Sequence, residues 1–134
     1  MSRATALLAL ALVLVAGCGG GGADDGGNAK IDLKVTVWPL GPIADSVAWT
    51  LQCEPTGGDH PDPAAACAAL TAVKDPFGNV PPPPRCKEIP GSSPEVAMVE
   101  GDFRGRKVRA TFERSSACVT GRWDRIAPVF PTGM

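Results

Sequence analysis

The side chains best suited to chemistry in this chain are five cysteines and one histidine. The cysteines are Cys18, Cys53, Cys67, Cys86 and Cys118. A zinc site wants paired ligands at short spacing. The chain has no Cys-x-x-Cys, and His60 is its single imidazole. His60 also has no nucleophile motif to serve. It reads as a loop histidine bonded to backbone, not as a general base. With no Tyr, no triad order, no ligand set and no phosphate loop, the chain reads as a non-enzyme without metal or cofactor. A formal charge of −1 on 134 residues gives no basic excess for nucleic acid. Arg104, Arg106, Lys107 and Arg109 do cluster. On a strand they divide between two faces, so a solvated surface is the expectation.

Cys18 stands apart from the other cysteines. Before it, Arg3 supplies a positive start and Ala4 to Val15 an apolar run too short to span a bilayer. The run closes in Val15-Ala16-Gly17-Cys18, which resembles the bacterial lipobox. That resemblance implies cleavage before Cys18 and a diacylglycerol on its sulfur, usually with a further N-acyl chain. Two or more chains anchor stably where one is marginal. Residues 1–17 are then a lipoprotein signal peptide. Residues 18–29 are a Gly-rich tether with nothing to bury, and residues 30–134 one domain. The expected location is the extracytoplasmic face of the cell membrane, with shedding or secretion as the variant.

Four cysteines remain for an oxidising compartment, and four allow three pairings. Local order favours Cys53–Cys67 and Cys86–Cys118. The elements that carry them follow from periodicity. Ile31 to Trp38 alternates apolar and polar residues as a half-buried strand does, and Val47 to Cys53 gives a second strand. Pro63 to Val73 is Ala-rich with Pro at its start, which predicts a helix. Asp75 to Pro84 is loop, ending in four consecutive prolines. Glu95 to Glu100 and Phe103 to Glu113 are strands, with a hairpin turn expected at Gly101-Asp102. Arg122 to Phe130 is taken as a last strand. Trp38, Trp49 and Trp123 are assigned to core or edge packing. Sequential strands joined by hairpins, with a helix across them, make an α+β fold on an antiparallel sheet.

Several of these segments together resemble the Streptomyces subtilisin inhibitor-like family. They are Leu51-Gln52-Cys53, Asp59-His60-Pro61, Ala66-Cys67-Ala68-Ala69-Leu70, Cys86, Val99-Glu100-Gly101, Gly105-Arg106-Lys107-Val108, Cys118 and Val129-Phe130. The resemblance implies a sheet of about five strands with two short helices, often a homodimer, and the same two disulfides. It implies inhibition of an extracellular serine protease by a substrate-like loop after Cys86. Such a loop enters the active site extended, and its rigidity lowers the entropy cost of binding.

In the family, the residue two after the third domain cysteine fills the protease's specificity pocket. Here that is Glu88, with Glu88–Ile89 as the scissile bond and Arg85, Cys86 and Cys118 as support. The family residue is usually apolar or basic, and an unpaired carboxylate in an apolar pocket costs several kcal/mol. Glu88 therefore calls for a protease with a basic pocket. A register one residue earlier, Lys87–Glu88, suits a trypsin-like enzyme instead. Pro90 lacks the N–H that a bound loop usually donates, and Gly91-Ser92-Ser93 lengthens the segment. The alternative function is a non-inhibitory cell-surface binding module on the same fold.

Overall fold

The computed structural model describes residues 29–78 and 93–131, with backbone only for Ala117 and Cys118. Four strands form one antiparallel sheet: β1 (Ile31–Trp38), β2 (Val47–Cys53), β3 (Val96–Phe103) and β4 (Arg106–Glu113). Their order is β2-β1-β3-β4, so β1 lies inside the sheet although it comes first in the chain. The alternation read in β1 sets its faces. Ile31, Leu33, Val35 and Val37 are fully buried, and the register pairs Leu33 and Val35 with Leu51 and Trp49 on one side and with Gly101 and Val99 on the other.

Helix α1 (Pro63–Ala72) lies where its Ala-rich sequence and N-terminal proline place it. The Asp62 carboxylate caps it, accepting from the Ala65 N–H at 3.1 Å. Ala66, Cys67 and Leu70 turn inward and join the strand residues in the core. The Cys53–Cys67 disulfide then ties the end of β2 to this helix.

Three expectations are corrected. First, the sheet has four strands among the described residues, not about five. The segment assigned to a last strand forms helix α2 (Ala117–Asp124) and a short 3-10 turn (Ala127–Val129). Ser116 caps α2 by accepting from the Val119 N–H. The apolar residues Trp123, Ile126 and Phe130 recur at three and four, a helical period that Pro128 obscured, and all three are buried.

Second, the β3–β4 hairpin turns at Arg104-Gly105, not at Gly101-Asp102. Both turn residues have positive φ, 49° and 84°, as a two-residue loop requires. Third, β3 consequently runs on through Gly101 to Phe103. Gly101 lies on the core face opposite Leu33, at φ 137°, where a β-carbon would collide with the Asp32 carbonyl. That glycine admits the β1 backbone; it does not make a turn.

Candidate functional site

Arg85, Cys86, Lys87, Glu88 and Ile89 all lie outside the described residues, as does the lipidation residue Cys18. What the structure describes is the frame from which the 85–89 segment is carried. On the upstream side, Phe77 is buried and meets Phe103 edge-on, with ring centroids 5.0 Å apart, and Phe112 at 6.3 Å. Asp75 adds an exposed ion pair to Arg106 at 3.5 Å.

On the downstream side, Glu95 and then Val96 lead into β3. Val96 pairs with Trp38 on β1 and Glu113 on β4, so the chain re-enters at the middle of the sheet. The Glu95 carboxylate takes a bond from Arg114 at 3.1 Å, and Arg114 also approaches Asp124 of α2 at 4.0 Å. Cys118 lies in the first turn of α2. Of the two expected disulfides, Cys53–Cys67 is present, and Cys86–Cys118 falls outside the described side chains.

His60 has the structural role that its isolation indicated. It is 4% exposed. Its Nδ1 accepts from the Asp62 N–H at 3.0 Å, which leaves Nε2–H to donate to the Val129 carbonyl at 3.1 Å. Beside it, Asp59 accepts from the backbone N–H and the hydroxyl of Thr50. The backbone bond foremost, then the hydroxyl, holds this carboxylate below its ordinary range.

The clustered cations are each matched by an acid: Arg104 by Glu54, Arg106 by Asp75, Lys107 by Asp102 and Arg109 by Glu100. This is a solvated, charge-balanced surface. Trp49 and Trp123 are buried in the core, as expected, and Trp38 is half-buried.

Arg122 went unnoticed in the sequence. Its guanidinium stacks on Phe112 at 4.2 Å and donates to the Thr111 carbonyl at 2.6 Å. Desolvation, then the charge of Arg125, lowers its pKa from the ordinary value. An exposed apolar rim was likewise not read: Leu40 and Ile43 stand in solvent on the β1–β2 loop, beside Val47. Gly41 of that loop comes near the Pro94 carbonyl, so the rim lies at the same end of the sheet as the downstream exit.

Residues 33–118 match the family described as subtilisin inhibitor-like. The chain belongs to that family. It is 38% identical over 103 residues to subtilisin inhibitor-like protein 5 of Streptomyces fradiae, covering 76% of this chain and 89% of that one. Against subtilisin inhibitor-like protein 1 of Streptomyces cacaoi it is 36% identical over 77 residues, covering 53% and 67%. Among solved structures it is similar to Streptomyces caespitosus sermetstatin, which was crystallised with Bacillus licheniformis subtilisin. There the TM-score is 0.47 at 26% identity, over 74% of this chain and 96% of that one. The relatives are inhibitor-like proteins, and the chain stands with them outside the enzymes.

Proposed function

We propose that this protein is a membrane-anchored, extracytoplasmic inhibitor of a serine protease, acting through a substrate-like loop after Cys86. The observation that carries this is the family match, whose span of residues 33–118 begins in β1 and includes the 85–89 segment and Cys118. In this reading the protease serine attacks the Glu88 carbonyl, and Ile89 is the leaving side. Lys87–Glu88 is the alternative bond. Cys86 is held by Cys118, and Arg85 supports the approach.

The two flanks described above support it. A standard-mechanism inhibitor must keep both ends of its loop in place, and here Phe77 enters the core while Glu95 is salt-bridged at the start of β3. Residues 1–17 are the signal peptide and Cys18 the lipidated residue in the same reading, with 18–29 as tether to the domain at 30–134. The tether joins the sheet at Ile31, and the loop's exit at Val96 pairs with Trp38, the opposite end of β1. At about 3.3 Å per residue, this strand of 8 residues is about 26 Å long, which separates the tether from the downstream end of the loop. A homodimer is part of the same reading.

The test is a titration of the oxidised protein against subtilisin-like, trypsin-like and Glu-specific serine proteases, with sequencing of any fragment. Stoichiometric inhibition of one class, with slow nicking at a single bond, is the expected outcome and assigns the reactive residue. Full activity across the panel, or rapid digestion of the loop, replaces the proposal with the non-inhibitory binding module that Glu88 and Pro90 favour. Metabolic labelling with a fatty acid, lost on Cys18→Ala, checks the anchor.

A further inference from the structure

We propose that the apolar rim on the β1–β2 loop, Leu40 and Ile43 with Val47 beside them, is a second contact surface for the target serine protease, separate from the reactive bond. This rests on the inhibitor reading above. The rim is built on hydrogen-bonded backbone. The Gly41 N–H donates to the Trp38 carbonyl at 3.3 Å, and the Ala44 N–H donates to the Gly41 carbonyl at 3.0 Å. Two four-residue turns therefore run in tandem, from Trp38 to Gly41 and from Gly41 to Ala44. Each has a proline, Pro39 or Pro42, at its second position, where a fixed φ suits the turn. Each carries a large apolar residue at its third position. These are Leu40, 77% exposed, and Ile43, 101% exposed. With Val47 they are the exposed large apolar side chains among the described residues, and all three fall in this one segment.

A stiff double turn that holds apolar side chains in water gains nothing from them within the domain; apolar surface gathered in one place marks a contact site. Location favours the protease as its occupant. A β-carbon added to Gly41 would stand 3.7 Å from the Pro94 carbonyl oxygen, so the rim touches the chain where it returns from the loop. Pro94 lies five residues beyond Ile89, and five residues span at most about 18 Å. A standard interface covers about 800 Å² of each partner, a disc of roughly 16 Å radius. The rim is therefore within reach of a protease seated on the loop. Other occupants fit less well. The groove that Leu40, Ile43 and Val47 line also holds the acid Asp45 and no cation, whereas a tip that enters an anionic bilayer sets basic residues beside its apolar ones. A second copy would need about 800 Å² from this patch alone. In a protease complex the reactive loop supplies the remainder.

The energetics give the rim a purpose. With Glu88 in the specificity pocket, the loop forgoes the apolar burial that an apolar residue would bring there. Leu40 and Ile43 supply burial of that kind outside the pocket. Their turns are formed before binding, so little backbone entropy is lost when they are covered. Apolar burial is also non-directional. It adds affinity without selecting which bond is presented to the protease serine. Its effect falls on the dissociation rate, where most differences between related complexes lie.

The experiment compares wild type with Leu40→Ser, Ile43→Ser, the double variant L40S/I43S and Lys107→Ser, on whichever protease the wild type inhibits. Lys107 is a control: it is exposed and lies beside the β3–β4 turn, at the far end of the sheet from the rim. The inhibition constant, the dissociation rate, the cut site and thermal unfolding are measured. Sedimentation equilibrium and flotation with phosphatidylglycerol–phosphatidylethanolamine vesicles complete the set. Each single variant should weaken inhibition at least about fivefold and the double variant about thirtyfold, through faster dissociation. The cut site and the unfolding temperature should be unmoved, and Lys107→Ser should inhibit as wild type does. An unchanged inhibition constant in L40S/I43S overturns the proposal while leaving the inhibitor reading intact. Loss of self-association or of vesicle binding in that variant, with inhibition unchanged, assigns the rim to a second copy or to lipid instead. An equal loss in Lys107→Ser also overturns it. A wild-type protein that inhibits no protease overturns both.

Discussion

Replacing His60 tests whether this chain's single imidazole is a keystone of the fold. The ring joins the loop before α1 to the 3-10 turn near the C-terminus. Nε2–H donates to Val129 across 69 residues of sequence, and Nδ1 accepts from Asp62. In His60→Ala both partners lose their bond. Val129 is fully buried, so its carbonyl bears the full penalty of an unsatisfied buried acceptor, about 1–3 kcal/mol. The Asp62 N–H lies beside solvent-exposed positions and costs at the low end of that range, about 1 kcal/mol. Lost contact with Trp49, whose ring centroid is 6.1 Å away, adds to this. The expected destabilisation is about 3 kcal/mol, a large share of the roughly 5–15 kcal/mol that holds a small domain folded. It should lower Tm by about 12 °C or more in a domain of this size. Guanidinium denaturation with an unchanged m-value measures it. His60→Gln, which keeps one donor, should lose less. A cost below about 1 kcal/mol for His60→Ala would refute the reasoning, because it would mean that neither bond outlasts competition from water.

Three further outcomes follow from particular contacts. Gly101→Ala should cost about 3 kcal/mol or more by thermal unfolding, because the new β-carbon meets the Asp32 carbonyl at a positive φ; Gly105→Ala, also at positive φ but with open space around it, should cost only about 1 kcal/mol. Equal costs at the two glycines would contradict the close approach of β1. Replacing Cys53 and Cys67 together by Ala should remove about 3 kcal/mol, since the bridge closes a loop with a sequence separation of 14; a loss under about 1 kcal/mol in chemical denaturation would count against the loop-entropy account. For Asp59, the Thr50 bonds depress the folded pKa below the ordinary carboxylate value of about 3.9. Its contribution is therefore present above about pH 4 and lost as pH falls through the lower folded value. The stability difference between wild type and Asp59→Asn should shrink on acidification through that window, and a difference constant with pH would show that the charge is not what matters.

Much of the architecture is legible because it depends on neighbours in sequence. The period-two pattern of Ile31, Leu33, Val35 and Val37 names the buried face of β1, and the four residues are all buried. Pro63 with its alanines announces α1, and Asp62 before it supplies the cap. The Cys53–Cys67 pairing was reachable from local order. A lone histidine with no chemical partner was readable as structural, although nothing local said that its partner would be Val129.

What the tertiary structure alone decided concerns pairs far apart in the chain. Gly101 and Gly105 are equivalent as sequence signals for a turn. Only the approach of the β1 backbone from about seventy residues earlier makes Gly101 a strand residue and leaves the turn to Arg104-Gly105. Trp123, Ile126 and Phe130 carry a helical spacing that Pro128 interrupts. Burial beneath the sheet, against Phe112 at 4.9 Å from Phe130, selects the helical arrangement. Glu95 and Arg114 are unremarkable charges until β3 and β4 pair and bring them to 3.1 Å. Sequence patterns fix what a segment can bury; which distant segment it is buried against follows from the cooperative packing of the whole core.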